Sequence, residues 1–377
     1  MGTVQKFNNL IECFEKHTMG RLFERINYLH PKRRSVYSKV KLTGEQKRQI
    51  DEYYLSHYGK KIPYTWHKFY YGVSGSFDVR YFPELLFIPE FEWVSNPPSF
   101  AKAFSDKNLL SQIFSSAQGV YLPETLLSCA NGLYRSSDGK AISFDEAAVI
   151  FENIGRVFVK PSIDSDSGRN CNIYDMHHGM DSISGNYSEE ILRSYGRNFT
   201  VQKVIECSDS VSMLNPCSVN TFRIITYRIG DSAPRAARCM MRIGRDGKFV
   251  DNAHAGGIFI GIEPDGQLTS TAYTDFCERF TAHPDSGLVF KDCCVPEFPD
   301  AVKKAFELHA LVPQLGVISW DFTIAKDHTP VLIEMNTASG CVWAQQMTCG
   351  VGLFGDDTDA ILEFLREKRK LYPCKYR

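Results

Sequence analysis

The sequence predicts a mixed α+β protein of more than one domain, and three features carry that reading. Its 377 residues exceed what one small core organises. An aromatic-rich helical lead opens the chain, and strand-like runs interspersed with amphipathic helices follow it. With 43% hydrophobic and 13% aromatic residues a sizeable core is available, and wholesale disorder is excluded. The balance of 43 Lys+Arg against 44 Asp+Glu removes nucleic-acid binding through bulk positive potential.

The elements follow in order. Val4, Phe7, Leu10, Ile11, Phe14 and Met19 recur near helical spacing until Pro31 interrupts them. Lys32, Arg33 and Arg34 read as a solvated helix end, because cations favour helix C-termini. Thr43 suits the N-cap of a second helix. Residues 63–98 read as aromatic-rich loops and short strands, since Pro83 and Pro89 argue against a continuous helix. Residues 99–114 form one amphipathic stretch. Residues 156–161 are a strand with Lys160 at its exit, and 198–205 are another. Residues 221–229 and 236–243 alternate like antiparallel strands, with a turn at Gly230-Asp231. A helix over 299–311 precedes two strands, 317–324 and 330–336. A last helix starts near Thr358 and turns Ile361, Leu362 and Leu365 inward.

Twelve cysteines are scattered along the chain with no CxxC pair, which argues against structural zinc. The N-terminus lacks the apolar run of a secretory signal, so the thiols are expected to be reduced core residues of a cytoplasmic protein. Residues 335–355 lack Asp, Glu, Lys and Arg, yet Asn336, Gln345 and Gln346 make them too polar for a membrane span.

The chemistry concentrates in the last two strands. Glu334 and Asn336 are two residues apart and share a strand face, and Asp321 can join them from the neighbouring strand. Two carboxylates and an amide oxygen suit Mg²⁺, a hard cation that usually keeps water or phosphate in its shell. Lys160 is followed by a loop of small residues, including Ser165, Ser167 and Gly168, able to fold over phosphates. No G-x-x-x-x-G-K-[ST] occurs, which counts against a P-loop fold.

This order of features resembles the ATP-grasp superfamily: Asp106-Lys107, the strand ending at Lys160, Val201-Gln202-Lys203-Val204, Asn220-Thr221-Phe222-Arg223, then Asp321 and Glu334-x-Asn336. Ser218–Ile224 and Val250-Asp251-Asn252 with Gly256-Gly257 look like its sugar-transfer-associated branch. The resemblance implies two α+β lobes clamping ATP, after a small α/β pre-grasp module and an N-terminal helical segment. It divides the chain into 1–62 (helical), 63–130 (pre-grasp), 131–205 (small lobe) and 206–377 (large lobe). It implies that Lys107 and Lys160 contact ATP, that Gln202, Lys203 and Val204 form an adenine-reading hinge, and that Asp209 faces the ribose. Asp321, Glu334 and Asn336 would hold two Mg²⁺ ions, with Arg223 and Arg242 as cations at the transferring phosphate. Asn252, Gly256 and Gly257 would shape the acceptor side, and His254 is a minority candidate for a general base.

The implied reaction is ATP-dependent carboxylate–amine ligation through an acyl phosphate, with one substrate sugar-linked, as in polysaccharide biosynthesis. A kinase on the same fold and a nucleotide-binding scaffold are the alternatives. Three roles stay open for the N-terminal helices: covering the nucleotide domain, forming a homodimer face, or holding an acceptor carrier.

Overall fold

The computed structural model describes residues 30–163, 168–252, 256–338 and 340–371, with Ile11, Phe14, Thr18, Leu22 and Ile26. The helical pattern expected around Val4, Phe7, Leu10 and Met19 falls outside these residues.

The first of two antiparallel sheets contains β1 (Thr125–Ala130), β2 (Leu133–Ser136), β3 (Ala141–Ile142), β4 (Arg156–Pro161), β5 (Asn172–His177), β6 (Met180–Asp181) and β7 (Phe199–Lys203). Their spatial order is β3-β2-β1-β7-β4-β5-β6. Apolar residues of β1, β4 and β7 (Leu127, Val157, Val159, Phe199, Val201) pack against helices Phe144–Glu152 and Ser188–Ser194. The first of those helices starts where it does because Ser143 and Glu146 cap each other reciprocally. A division at 130/131 separates β1 from β2, its hairpin partner, although both belong to this sheet.

The second sheet holds β8 (Phe222–Tyr227), β9 (Arg235–Ala236), β10 (Cys239–Ile243), β11 (Ile258–Ile262), β12 (Ala272–Tyr273), β13 (Arg279–Phe280), β14 (Val317–Ile324) and β15 (Pro330–Asn336). The order is β13-β12-β11-β10-β8-β14-β15, with β9 on β8. Side chains on β14 alternate. Ile318, Trp320, Phe322 and Ile324 enter the core shared with helix Phe298–Ala310, whereas Val317 joins the core under the helices of residues 42–91. Both faces are therefore covered, and β14 is buried along its whole length. That excludes a solvated hairpin. Among the described residues no helix is long and apolar enough to cross a membrane.

Several expectations change. Thr43 does cap helix Gly44–His57, in a reciprocal box with Gln46. Residues 63–98, however, are helical rather than looped and stranded: Thr65–Ser74, Glu84–Leu86, Phe87–Glu92 and Trp93–Ser95. Within 63–130 the only strand is β1, so the α/β character expected of the pre-grasp module resides in that strand alone. Pro89 is accommodated because Phe87–Glu92 is a π turn. Its wider radius relieves the clash that a proline ring makes with the preceding turn of an α-helix. The stretch 99–114 breaks into Pro98–Ala103, Lys107–Leu109 and Leu110–Ile113. There the Asp106 side chain accepts the Asn108 N–H at 3.0 Å and restarts the turn. Nor is the basic cluster solvated throughout: Arg33 is buried with its guanidinium 4.2 Å from the Trp343 ring centroid, and Lys32 lies over Phe276. Cys294, expected to pack inside, is exposed, as is Cys217.

Glu84 lies in this helical segment, 3% exposed, where its Oε1 accepts the Val342 N–H at 2.7 Å. Burial pushes its carboxyl up to about 7, against the opposing backbone bonds from Val342 and Trp343. An acid whose folded pKa is raised loses stability as pH climbs from its unfolded value to its folded one. Glu84→Gln should therefore gain on the wild type between pH 5 and pH 8, by on the order of 2 kcal/mol. Thermal melts of both proteins across that range test this. A constant difference would refute it.

Candidate active site

One irregularity places the acidic residues. β14 and β15 pair with Phe322 opposite Leu332 but Asp321 opposite Glu334, so Ile333 is an extra residue in a β-bulge. Strand side chains alternate, and without the bulge Glu334 would face away from Asp321. With it, Asp321 and Glu334 are direct partners and Asn336 lies two residues beyond on the same face. The bulged Ile333 also presents its carbonyl to Lys160, whose Nζ donates to it at 3.4 Å.

Asp321 is 3% exposed and surrounded by donors. Arg223, its register partner on β8, forms a two-pronged pair with Nε at 2.6 Å from Oδ1 and a terminal nitrogen at 3.1 Å from Oδ2. Arg242, from β10, reaches Oδ2 at 3.0 Å, and Asn336 Nδ2 lies 3.5 Å from the same oxygen. Burial opposes the charge on Asp321, but the two guanidiniums outweigh it and hold the carboxyl below its usual range. Arg242 likewise stays more basic than usual: burial works against its charge, and Asp321, Asp251 and Glu334 overcome it.

On the other side of the cleft, Lys107 Nζ pairs with Glu334 Oε1 at 3.1 Å. Its backbone N–H donates to Ser162 O at 2.9 Å, which ties it to the loop after β4. Lys160 is 4% exposed, and burial draws its pKa down, with Glu334 opposing and Lys107 adding to the effect. Lys107, Lys160, Arg223 and Arg242 thus lie around Asp321, Glu334 and Asn336.

The loops meet above them. Gly168 has φ +74°, and a Cβ there would lie 2.5 Å from Asn252 Nδ2. Asn252 Oδ1 accepts from Arg242 at 3.2 Å, so the loop after β4 touches the arginine pair through one amide. Gly257 leaves no room for a side chain, since a Cβ would be 2.1 Å from Asp251 O. Ser165, Ser167 and His254 lie outside the described residues. Gln202 is buried in β7 and Lys203 closes that strand. Val204 begins the link to Cys207, which bridges Ala325 just beyond β14. Residues 204–207 therefore link the two sheets. Asp209 is exposed at the start of helix Asp209–Ser212, and no side-chain contact among the described residues joins it to the site.

Two residues quoted above only as motif members have structural roles. Asp251 Oδ2 accepts both the Thr221 N–H at 2.7 Å and its hydroxyl at 2.6 Å. Thr221 Oγ1 in turn accepts from Arg242 Nε at 2.9 Å and a terminal nitrogen at 2.7 Å. Asp251 thereby orients Arg242 through one hydroxyl. Asp251 lies in the loop that follows the strand of Arg242, and its burial against Thr221, just before β8, is set by the fold rather than by spacing. Cys341 is held protonated by burial first and by Glu84 next, so it has no thiolate character.

These oxygens fit a hard cation. Asp321 and Glu334 face each other, Glu334 Oε2 is outside the pair with Lys107, and the amide of Asn336 completes the face. The described residues contain no cluster of three or more His, Cys, Asp or Glu that would cage an ion, so phosphate and water would have to complete its shell.

Asp321→Asn would remove the carboxylate that Arg223 and Arg242 share, and should destabilise the fold by about 3–5 kcal/mol. Arg242→Met should cost less, because Arg223 retains its two-pronged bond. Urea unfolding of the three proteins tests the ranking, and an Asp321→Asn protein as stable as the wild type would overturn it.

No curated protein matches this chain. Among solved structures it is similar to the ATP-grasp ligase PsnB complexed with minimal precursor (12% identity, TM-score 0.40, covering 72% of this chain and 63% of that one). It is also similar to an L-amino acid ligase from Bacillus licheniformis (14%, TM-score 0.38, 71% and 48%) and to the D-cycloserine synthetase DcsG (13%, TM-score 0.41, 72% and 73%). Likeness at this level says nothing of substrate. The model of the sugar-transfer associated ATP-grasp family matches residues 87–361, well over half of the chain, and with the site geometry above it makes this protein a member of that family.

Proposed function

We propose that this protein is an ATP- and Mg²⁺-dependent carboxylate–amine ligase acting on a sugar or glycan precursor. The observation that carries the reading is the convergence of Lys107, Lys160, Arg223 and Arg242 on the face formed by Asp321, Glu334 and Asn336. Such an array suits phosphoryl transfer, where catalysis is mostly positioning and charge stabilisation. Asp321, Glu334 and Asn336 would hold two Mg²⁺ ions, which when bound offset the charge of the transferring phosphates.

In the proposed reaction a carboxylate oxygen attacks the γ-phosphorus, the bond to the β-phosphate oxygen breaks, and ADP leaves. The amine then attacks the acyl carbon and phosphate departs, with the amine proton passing to the released phosphate. Arg223 and Arg242 would stabilise the transferring group. Lys107 and Lys160 would hold ATP under the loop containing Ser165, Ser167 and Gly168, with Gln202, Lys203 and Val204 along the adenine and Asp209 at the ribose. Asn252 would shape the acceptor side, with His254 a candidate to assist the amine.

A carboxylate nucleophile arrives already ionised and needs no base in the first step, whereas a hydroxyl acceptor would call for one. The family's description is what points toward glycans. The exposed free thiols of Cys217 and Cys294 fit a reducing compartment, so we place the reaction in the cytoplasm.

A screen of acids paired with amines, scored by phosphate release from ATP, should find turnover only when both are present. Glu334→Gln should lower that turnover by about two orders of magnitude. A phosphorylated alcohol formed without free phosphate would make the protein a kinase, and unimpaired turnover by Glu334→Gln would remove the site assignment.

A further inference from the structure

The loop over 337–342 leaves directly from Asn336, and the helical segment before the first sheet holds it at four points. Glu84 Oε1 accepts the Val342 N–H at 2.7 Å, and Glu92 Oε2 accepts the Gly340 N–H at 2.8 Å. Asn96 Nδ2 donates to Thr337 O at 2.7 Å, and Thr337 Oγ1 donates to Ala101 O at 2.8 Å. Glu84 and Glu92 are 3% and 8% exposed. Gly340 is fitted to this arrangement: a Cβ would lie 3.0 Å from Glu92 Oε2 and 3.2 Å from Phe87 Cε1.

Burying two acids to hold a loop is costly, and burial accordingly holds Glu84 partly protonated near neutral pH. Each acceptor oxygen fixes one N–H of the loop, which matters where a backbone must keep one position. The loop lies in a place that calls for this. A Cβ on Gly340 would lie 3.3 Å from Ser319 Oγ, and Ser319 is two residues before Asp321, whose partner across the strands is Arg223, so the loop passes beside the strands that carry the site. Thr337 and Ala338 further line a cavity of about 250 Å³ together with Trp93, Lys102 and Ser105. Glu92 ends the π turn that absorbs Pro89, and such turns recur at functional sites.

We propose that Glu84 and Glu92 are positioning residues for the acceptor half of the reaction: through the Val342 and Gly340 N–H groups they fix residues 340–342 as the wall against which the acceptor seats beside Arg223. This rests on the ligase reading for the word acceptor, but the clamp can be measured without it. The helical segment thereby acts as a template for the site rather than as a cover.

Hydrogen exchange on the full chain, followed by mass spectrometry, tests the clamp. In Glu92→Ala the peptide spanning 337–342 should exchange about tenfold faster than in the wild type, and Glu92→Gln, which keeps an acceptor oxygen, should restore it to within about twofold. Helix Phe298–Ala310 should be unchanged in both, and affinity for a non-hydrolysable ATP analogue with Mg²⁺ should stay within about threefold. If Glu92→Ala does not fold, Glu92→Asp, which retracts the carboxylate by one methylene, carries the same comparison. Unchanged exchange over 337–342, or a rise spread evenly over the chain, overturns the proposal. With an acid and amine pair from the screen above, Glu92→Asp should raise KM for the acceptor about tenfold and leave KM for ATP within about twofold. Faster exchange with no productive pair defeats the ligase reading and leaves the clamp standing. A productive pair with an unchanged KM for the acceptor defeats the proposal.

Discussion

One extra residue in a strand decides where the acids of this protein stand. Ile333 bulges from β15, so the parity of the strand changes between Leu332 and Glu334. Leu332 and Met335 can then both enter the core with Trp320 and Phe322, while Glu334 faces Asp321. A regular hairpin would satisfy one of these requirements at the expense of the other. The same bulge frees the carbonyl that receives Lys160 from the opposite sheet. A packing requirement, a candidate metal face and a contact between sheets thus share one local deviation.

Charge at the site is arranged by strand order rather than by net balance. β8 lies between β10 and β14, which brings Arg223 and Arg242 to the same buried carboxylate. Buried charges are tolerable only when paired and hydrogen-bonded, and here the pairing is redundant. Asp251 and Thr221 orient Arg242 from behind, leaving its remaining nitrogen for Asn252. Lys107 and Lys160 approach from the other sheet and its preceding loop, so the cations surround the acidic face from two sides.

The N-terminal half is tied to the large sheet through the same region. Arg33 stacks on Trp343, Glu84 and Glu92 hold the loop over 337–342, and Asn96 bonds Gly316, Val317 and Thr337. These contacts join segments more than two hundred residues apart in sequence. Side chains that look like a solvated cluster or an aromatic loop when read alone become a support for the strands of the candidate site.

The sequence by itself determined the strands that carry the candidate site and which charged residues lie on them, because residue type and two-residue spacing are local properties. Asp321, Glu334, Asn336, Arg223, Lys107 and Lys160 were legible for that reason, as were the Thr43 cap and the last helix. Local pattern failed where a non-local partner overrode it. Pro89 forbade an α-helix, but a π turn absorbed it. Arg33 had every mark of a solvent cation until Trp343 arrived from the far end of the chain. Only the tertiary structure decided that Ile333 would bulge, that Asp251 would orient Arg242, and that Glu84 and Glu92 would be buried against the loop over 337–342. Each depends on which strand or loop lies opposite. Pairing and burial are set by the packed whole, and residue spacing along the chain does not encode them.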